Sequence, residues 1–304
     1  MNVLEPNVLA YDAITSSIPE DSAQVWSASE TYAKDDVVRL GMYLYTSLQA
    51  SNTGHSPPET LSGVDAWWKR KEVTNRAAMF DDHLYTQTIA PEGTTEITVS
   101  VPWERGTSGF ALLNVDGTQS IHATVTADDE QVVFDSTYDM IDGVDDLWDY
   151  YAGLWDYKSE LVELSSTPLI AGTLTVVMTG GRPAVGHLMV GSTWEPGATL
   201  YGATAEIKDY SVYNTNDFGE LTVIQRNFVK LFNGELYLHP NRADATFRRF
   251  INARAKFCLW MGDNRTTAEG GHEALNVAGY FKSCPLVFAG PNECQYNLQI
   301  EGII

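Results

Sequence analysis

Apolar and polar residues alternate with a period of two along most of the chain. The runs 96–101, 109–115, 121–127 and 131–135 each place every second residue on one face, and 161–164 and 173–178 continue the pattern. Alternation of this kind, with Gly, Asp and Pro between the runs, predicts half-buried strands in an antiparallel sandwich. Shorter β-type runs at 36–40 and 42–47 are separated by turn signals at Gly41, 52–58 and 61–65. They predict a small unit whose core comes from tryptophans, Trp26, Trp67 and Trp68, because rings fill a core that few aliphatic residues could. Further strand runs lie at 187–190, 202–213, 221–231, 235–239, 256–261, 277–283 and 295–301. The period changes clearly at Asp244, Ala245, Phe247, Phe250 and Ile251, which with the basic Arg248, Arg249 and Arg254 fit an amphipathic helix.

The expected architecture is mainly β. Residues 1–24, with Pro6 and Pro19 and no sustained period, form an extended N-terminal arm able to reach a neighbouring subunit, with Val3, Leu4, Val8 and Leu9 available to dock. Residues 25–74 form the small β domain, 75–184 an antiparallel β-sandwich, and 185–304 a C-terminal antiparallel sheet unit with one amphipathic helix. No repeat of fixed period appears.

One segment breaks the strand rhythm. Residues 139–160 interleave Asp142, Asp145, Asp146, Asp149 and Asp156 with Trp148, Tyr150, Tyr151, Trp155 and Tyr157, too long a stretch for a hairpin turn. Large aromatics in a polar loop either pack inward or meet something, so intramolecular packing, contact with another protein and sugar stacking are the three readings. The four aspartates at 142–149 are dense enough for a hard cation such as Ca²⁺, without the order of a known calcium loop; otherwise they form a solvated acidic loop.

Charge narrows the partners. The 304 residues carry 19 Lys and Arg against 40 Asp and Glu, a formal charge of −21, so the surface as a whole repels nucleic acid and anionic lipid, and only a local basic patch stays open. The densest apolar stretch, 169–178, is about half the roughly 20 residues of a spanning helix, and the first residues lack the pattern of a secretory signal. No membrane insertion is expected. Cys258, Cys284 and Cys294 are too few and too scattered for a disulfide framework, and reduced thiols are expected.

Catalytic motifs are missing from the sequence: no phosphate-binding loop, dinucleotide fingerprint, nucleophile elbow, H-E-x-x-H or C-x-x-C occurs. The cluster Gly270-Gly271-His272-Glu273 reads as an exposed Gly-rich loop, and the other histidines, His55, His83, His122, His187 and His239, show no ligand spacing. The expectation is a non-enzymatic protein with no cofactor and no metal. A polysaccharide depolymerase using two carboxylates set about 5–10 Å apart is the remaining enzymatic alternative, but the repeats of a long β-helix are not seen.

The segment Trp26-Ser-Ala-Ser-Glu-Thr-Tyr32, the following Asp36-Val-Val-Arg-Leu-Gly41-Met-Tyr43-Leu-Tyr45 and the closing Trp67-Trp68-Lys69 resemble the small carbohydrate-binding module of chitinases, with Trp26, Tyr32, Tyr45 and Trp67 as its core. Where chitin-binding members carry exposed aromatics, this chain has Gln49-Ala50-Ser51-Asn52, so the resemblance implies the scaffold without the sugar platform. Along nearly the whole chain, Val185-Gly-His-Leu-Met-Val-Gly191, Tyr201-Gly-Ala, Ile207-Lys-Asp-Tyr210, Asp217-Phe-Gly219, Gly279-Tyr280-Phe281-Lys282 and the terminal Cys294-Gln-Tyr-Asn-Leu-Gln-Ile-Glu-Gly302 are similar to a family of tail-associated virion proteins of long-tailed bacteriophages. The resemblance implies a structural component of the tail tip or baseplate. It would be made in the host cytoplasm and assembled in the virion as a symmetric homo-oligomer with other tail-tip proteins. A role in adsorption to a host-surface glycan would run through Trp148, Tyr150, Tyr151, Trp155 and Tyr157. The family pattern carries no catalytic residues.

Overall fold

The computed structural model describes residues 1–59, 61, 66–141, 148, 151, 156–164, 170–263, 265–290 and 293–303. Among the described residues the fold is mainly β and sandwich-like, built chiefly of antiparallel sheets, and carries the amphipathic helix Pro240–Asn252. Among the described residues fifteen strands join one continuous sheet, and four strands form a sheet of the N-terminal module.

Two long strands, Gly109–Ala127 and Gly172–Trp194, make the sandwich by pairing with each other over nearly their whole length. A straight 19-residue strand would run about 60 Å. Yet the Phe110 ring lies 6.2 Å from that of Phe134, which is paired with Val125 near the other end of the same strand. Both strands therefore fold back on themselves, one half in each layer. The corner falls where the register slips between Asp116 and Ser120, and bulges of this kind let strands switch layers. Gly117 sits there at φ +60, and a Cβ on it would come within 2.3 Å of the Arg182 carbonyl. Ile97, Val99, Val101 and Trp103 from Glu96–Trp103 alternate into the core so formed, against Leu174, Val176 and Met178.

The N-terminal segment is no free arm. Asn2–Pro6 lies in the interior of the sheet, paired on one side with Gly191–Trp194 and on the other with Leu259–Met261. Met1, Val3 and Leu4 are buried, Thr15–Ser16 pairs with Val99–Ser100, and Ile14 and Ile18 enter the sandwich core. The segment is too short and too proline-punctuated to show a period; its partners, distant in sequence, make it a strand. The expected division at 184/185 likewise falls inside the single strand Gly172–Trp194, so sandwich and C-terminal unit share one sheet.

In the C-terminal unit the strands Phe228–Leu238, Cys258–Met261, Asn276–Ser283 and Glu293–Gly302 form the sheet on which the helix packs. Pro240 starts the helix, and the His239 side chain accepts a hydrogen bond from the Asn241 amide. Ala243, Thr246 and Phe250 point inward, and Phe250 stacks at 6.1 Å on Trp260 and meets Trp194 edge-on at 5.3 Å. Cys258 and Cys294 are buried and Cys284 half-buried, all three unbonded thiols.

The module's sheet combines Gln24–Val25, Val37–Leu40, Tyr43–Ser47 and Trp68–Val73, with Thr31–Tyr32 paired to Asn52–Thr53. Tyr32, Val38, Tyr45 and Trp68 are its buried cluster, while Trp26 and Trp67 pack half-buried against it. Of the three tryptophans expected in the core, Trp68, which the resemblance left out of its core set, is the ring wholly removed from solvent; its indole N–H donates to the His55 carbonyl at 2.8 Å.

Candidate interaction surface

The most unusual surface is a two-stranded ribbon that leaves the body of the sheet. Thr204–Asp209 pairs with Phe228–Asn233 along one edge of the C-terminal sheet, and all six of its residues are exposed. The ribbon continues through Tyr210 N to Asn227 O (3.3 Å) and Arg226 N to Ser211 Oγ (3.0 Å) into the separate hairpin Val212–Thr215 and Leu221–Ile224. Ile207, Tyr213, Leu221, Val223 and Ile224 are exposed along it, and Phe218 at the tip is 91% exposed. Register places Tyr213 with Val223 and Thr215 with Leu221 on one face, and Val212 with Ile224 on the other. A lone hairpin is marginal in water, and this one exposes apolar residues on both faces.

Local chemistry stiffens the arm at both ends. At the tip the Asn216 side chain accepts from the Phe218 amide (3.0 Å) and the Glu220 amide (2.9 Å), and Gly219 turns the chain at φ +84. This Asx geometry fixes the loop that presents Phe218. Where hairpin meets ribbon, Asp209 accepts from the Ser211 amide and hydroxyl at 2.8 and 2.6 Å and from the Tyr213 hydroxyl at 3.2 Å, bonds that lower its pKa. At the base the Tyr85 hydroxyl donates to the Phe228 carbonyl at 2.9 Å, and Lys208 reaches Glu301 at 2.8 Å.

The residues expected to form a glycan or protein surface fall at 139–160. Trp148 and Tyr151 are helical in backbone and 75% and 77% exposed, and Tyr157, 45% exposed, forms an isolated bridge to Ile141. Tyr150, Trp155 and the aspartates at 142, 145, 146 and 149 lie outside the described residues. In the module, Gln49 donates to the Ala66 carbonyl and buried Asn52 to Ser47 and the Trp67 carbonyl, so these side chains brace a turn. His55 stacks on Trp67 at 3.7 Å.

Several acidic and basic groups inside the molecule have structural partners, although His187 Nδ1, Glu160 Oε2 and Glu273 Oε1 are buried without a hydrogen bond among the described residues. A groove of about 570 Å³ between module and sandwich is lined by Glu5, Asp81, Asp82, His187 and Lys256 among others. Glu5 pairs with Lys256, and the Asp81 carboxylate accepts from the His83 amide. Burial raises the Asp81 pKa and pushes that of His187 down to about 4. Glu273, expected in an exposed loop, accepts from the Ser159 hydroxyl at 3.2 Å, and its carbonyl accepts from Lys230. Among the described residues no cluster of three or more His, Cys, Asp and Glu side chains could hold a metal ion.

Sequence reasoning read 202–213 and 221–231 as ordinary strands and missed the arm. The signal available was an aromatic residue, Phe218, set inside the turn-forming run Asn216-Asp217-Phe218-Gly219. The chain matches no protein-family model, and no curated protein matches it by sequence.

Proposed function

We propose that this chain is a non-enzymatic structural subunit of a multi-copy assembly, and that the assembly is the tail tip or baseplate of a long-tailed bacteriophage. The observation that carries the first step is the stiffened ribbon 204–228, which holds Ile207, Tyr213, Phe218, Leu221 and Val223 out in solvent. The two rings, Tyr213 and Phe218, offer about 150–250 Å² each, to which Ile207, Leu221 and Val223 add toward the roughly 800 Å² per partner of a stable interface. A formal charge of −21 keeps the unassembled chain soluble despite that surface. The step to a phage tail rests on the ordered motifs from Val185 to Gly302. Mass spectrometry and cryo-electron microscopy of purified virions test it: the chain is expected in isolated tails, and its absence from them overturns the tail assignment.

A second reading, a carbohydrate-binding adhesin for a host-surface glycan, is favoured by the exposure of Trp148 and Tyr151, because solvent-facing rings are what a sugar face stacks on. Whole-cell and glycan-array binding of wild type against Trp148→Ala and Tyr151→Ala decides it. Equal binding by all three ends this reading.

A further inference from the structure

We propose that copies of this chain join head to tail, with the arm tip Asp217-Phe218-Gly219-Glu220 of one copy seated in the groove beside Trp194 and the helix Pro240–Asn252 of the next. This deepens the assembly reading above and rests on it, naming the partner as a second copy.

The groove sets two arginines against one carboxylate, Glu195, on the most basic stretch of an acidic protein. Five of the 19 basic side chains, Arg242, Arg248, Arg249, Arg254 and Lys256, fall within 242–256 alongside the single acid Asp244. Arg242 and Arg249 line a groove of about 550 Å³ with Trp194, Thr193 and Asn2, and Glu195 is the carboxylate at its wall. The Arg249 guanidinium lies over the Trp194 indole, 5.8 Å from the ring centre. A segment suited to this site carries carboxylates and an apolar ring together. The arm tip has both: Asp217 and Glu220 flank Phe218, and the Asn216 side chain fixes their spacing.

Topology forbids the contact within one chain. The arm leaves the sheet at the Phe228 end of Phe228–Leu238, and the helix begins just beyond the other end, after His239. That strand's 11 residues span about 35 Å, and the hairpin extends the ribbon in the opposite direction. Tip and groove thus lie at opposite ends of the C-terminal unit. Complementary patches so placed make a heterologous contact, which closes into a ring or runs on as a filament. Because the bulk of each copy repels its neighbour, the contact forms best where salt has shortened that repulsion to about 8 Å while the seated pairs remain close.

Sedimentation velocity of the full chain at about 0.15 M salt tests the proposal. Wild type is expected to form species larger than a monomer. Asp217→Lys with Glu220→Lys, or Arg242→Glu with Arg249→Glu, is expected to weaken association about tenfold or more, and the chain carrying all four substitutions to regain it. Phe218→Ser, which leaves the turn's backbone hydrogen bonds in place, is expected to weaken it as well, and circular dichroism of each variant verifies the fold. Wild type that stays monomeric at about 100 μM, reversal variants that associate like wild type, or a four-substitution chain that stays monomeric overturns the proposal. If Tyr213→Ser with Leu221→Ser abolishes association while both charge reversals leave it intact, assembly through the arm stands and the tip-to-groove contact falls. If head-to-tail association holds but the chain is absent from virions, only the tail assignment falls.

Discussion

The Lys230 ammonium lies 2.6 Å from a carboxylate oxygen of Glu160 and 3.0 Å from the Glu273 carbonyl, which ties the strand carrying the arm to Glu160–Glu163 of the sandwich. Glu160 is buried; burial raises its pKa, and the charge and hydrogen bond of Lys230 oppose that rise. Taking away the cation leaves a carboxylate in a low-dielectric site with its compensation gone. Lys230→Met is therefore expected to cost about 3–5 kcal/mol, while Lys230→Met combined with Glu160→Leu recovers most of the loss. Urea unfolding of the three proteins reads this directly. A single variant within about 1 kcal/mol of wild type would remove the ion pair from the account of how the two halves hold together.

His187 makes the fold acid-sensitive in a defined window. Its ring is buried and meets Phe257 edge-on at 5.1 Å; burial drives its pKa from 6.5 to about 4, against the weaker opposing effects of the Asp82 charge and a hydrogen bond to the Asp81 backbone. A histidine whose folded pKa is lowered stabilises fully above the unfolded value, and that stability is lost as the unfolded chain takes up its proton. The loss runs from about pH 6.5 down to about 4 and reaches at most about 3 kcal/mol. Glu160 acts in the opposite sense, since its raised pKa favours the folded chain on acidification, so the measurement must be a difference. The melting temperature of wild type relative to His187→Gln is expected to fall between about pH 7 and about pH 4.5. A flat difference across that range rejects burial of a neutral ring as the cause.

The parts of the fold that sequence reasoning reached are those whose pattern is local. Glu96–Trp103 alternates cleanly because one face meets the core and the other does not, and Pro240–Asn252 is helical where its period predicts a helix. Of the apolar residues that suggest that helix, however, Phe250 is buried while Ala245, Phe247 and Ile251 are exposed, the inward face being Ala243, Thr246 and Phe250. The parts it missed are set by distant partners. Asn2–Pro6 is a strand because residues 191–194 and 259–261 flank it, and nothing in five residues records that. Runs 109–115 and 121–127 read as two strands, but they are one bent strand whose corner at Gly117 interrupts the alternation. The arm was hidden for the converse reason: Leu221–Ile224 carries the pattern of a buried strand, although all four of its residues are exposed. Apolar pattern reports what must be covered, and in an assembly the cover can come from another chain.

Within the module, Trp68 and Trp67 are neighbours in sequence with opposite assignments. Trp68 is wholly buried, meets Tyr32 edge-on at 5.3 Å and donates to the His55 carbonyl, whereas Trp67 is half-buried and stacks on the His55 ring. Trp68→Ala is expected to cost about 3–5 kcal/mol, enough to unfold a unit of this size. Trp67→Ala should cost about 1 kcal/mol from the lost stack and leave the module folded. Hydrogen exchange by mass spectrometry, followed at Tyr43–Ser47 and Trp68–Val73, separates the two. Loss of protection in both variants alike would show that the half-buried ring carries as much of the core as the buried one.

The hairpin of the arm contributes almost nothing to the stability of the body that carries it. Its ladder is separate from the main sheet, and Tyr213, Leu221, Val223 and Ile224 are all exposed, so removing it uncovers little that was buried. Replacing residues 212–224 with Gly-Gly is therefore expected to leave the melting temperature within about 2 °C of wild type. Binding of a dye that reports exposed apolar surface should fall, because the rings it would settle on are gone. A strongly lowered melting temperature would mean that the hairpin packs against its own body, and its exposed face would then cease to argue for a neighbour. An unchanged melting temperature together with lost dye binding leaves a structured, solvent-facing apolar element whose upkeep brings the isolated chain no stability, which is the condition expected of a surface kept for another molecule.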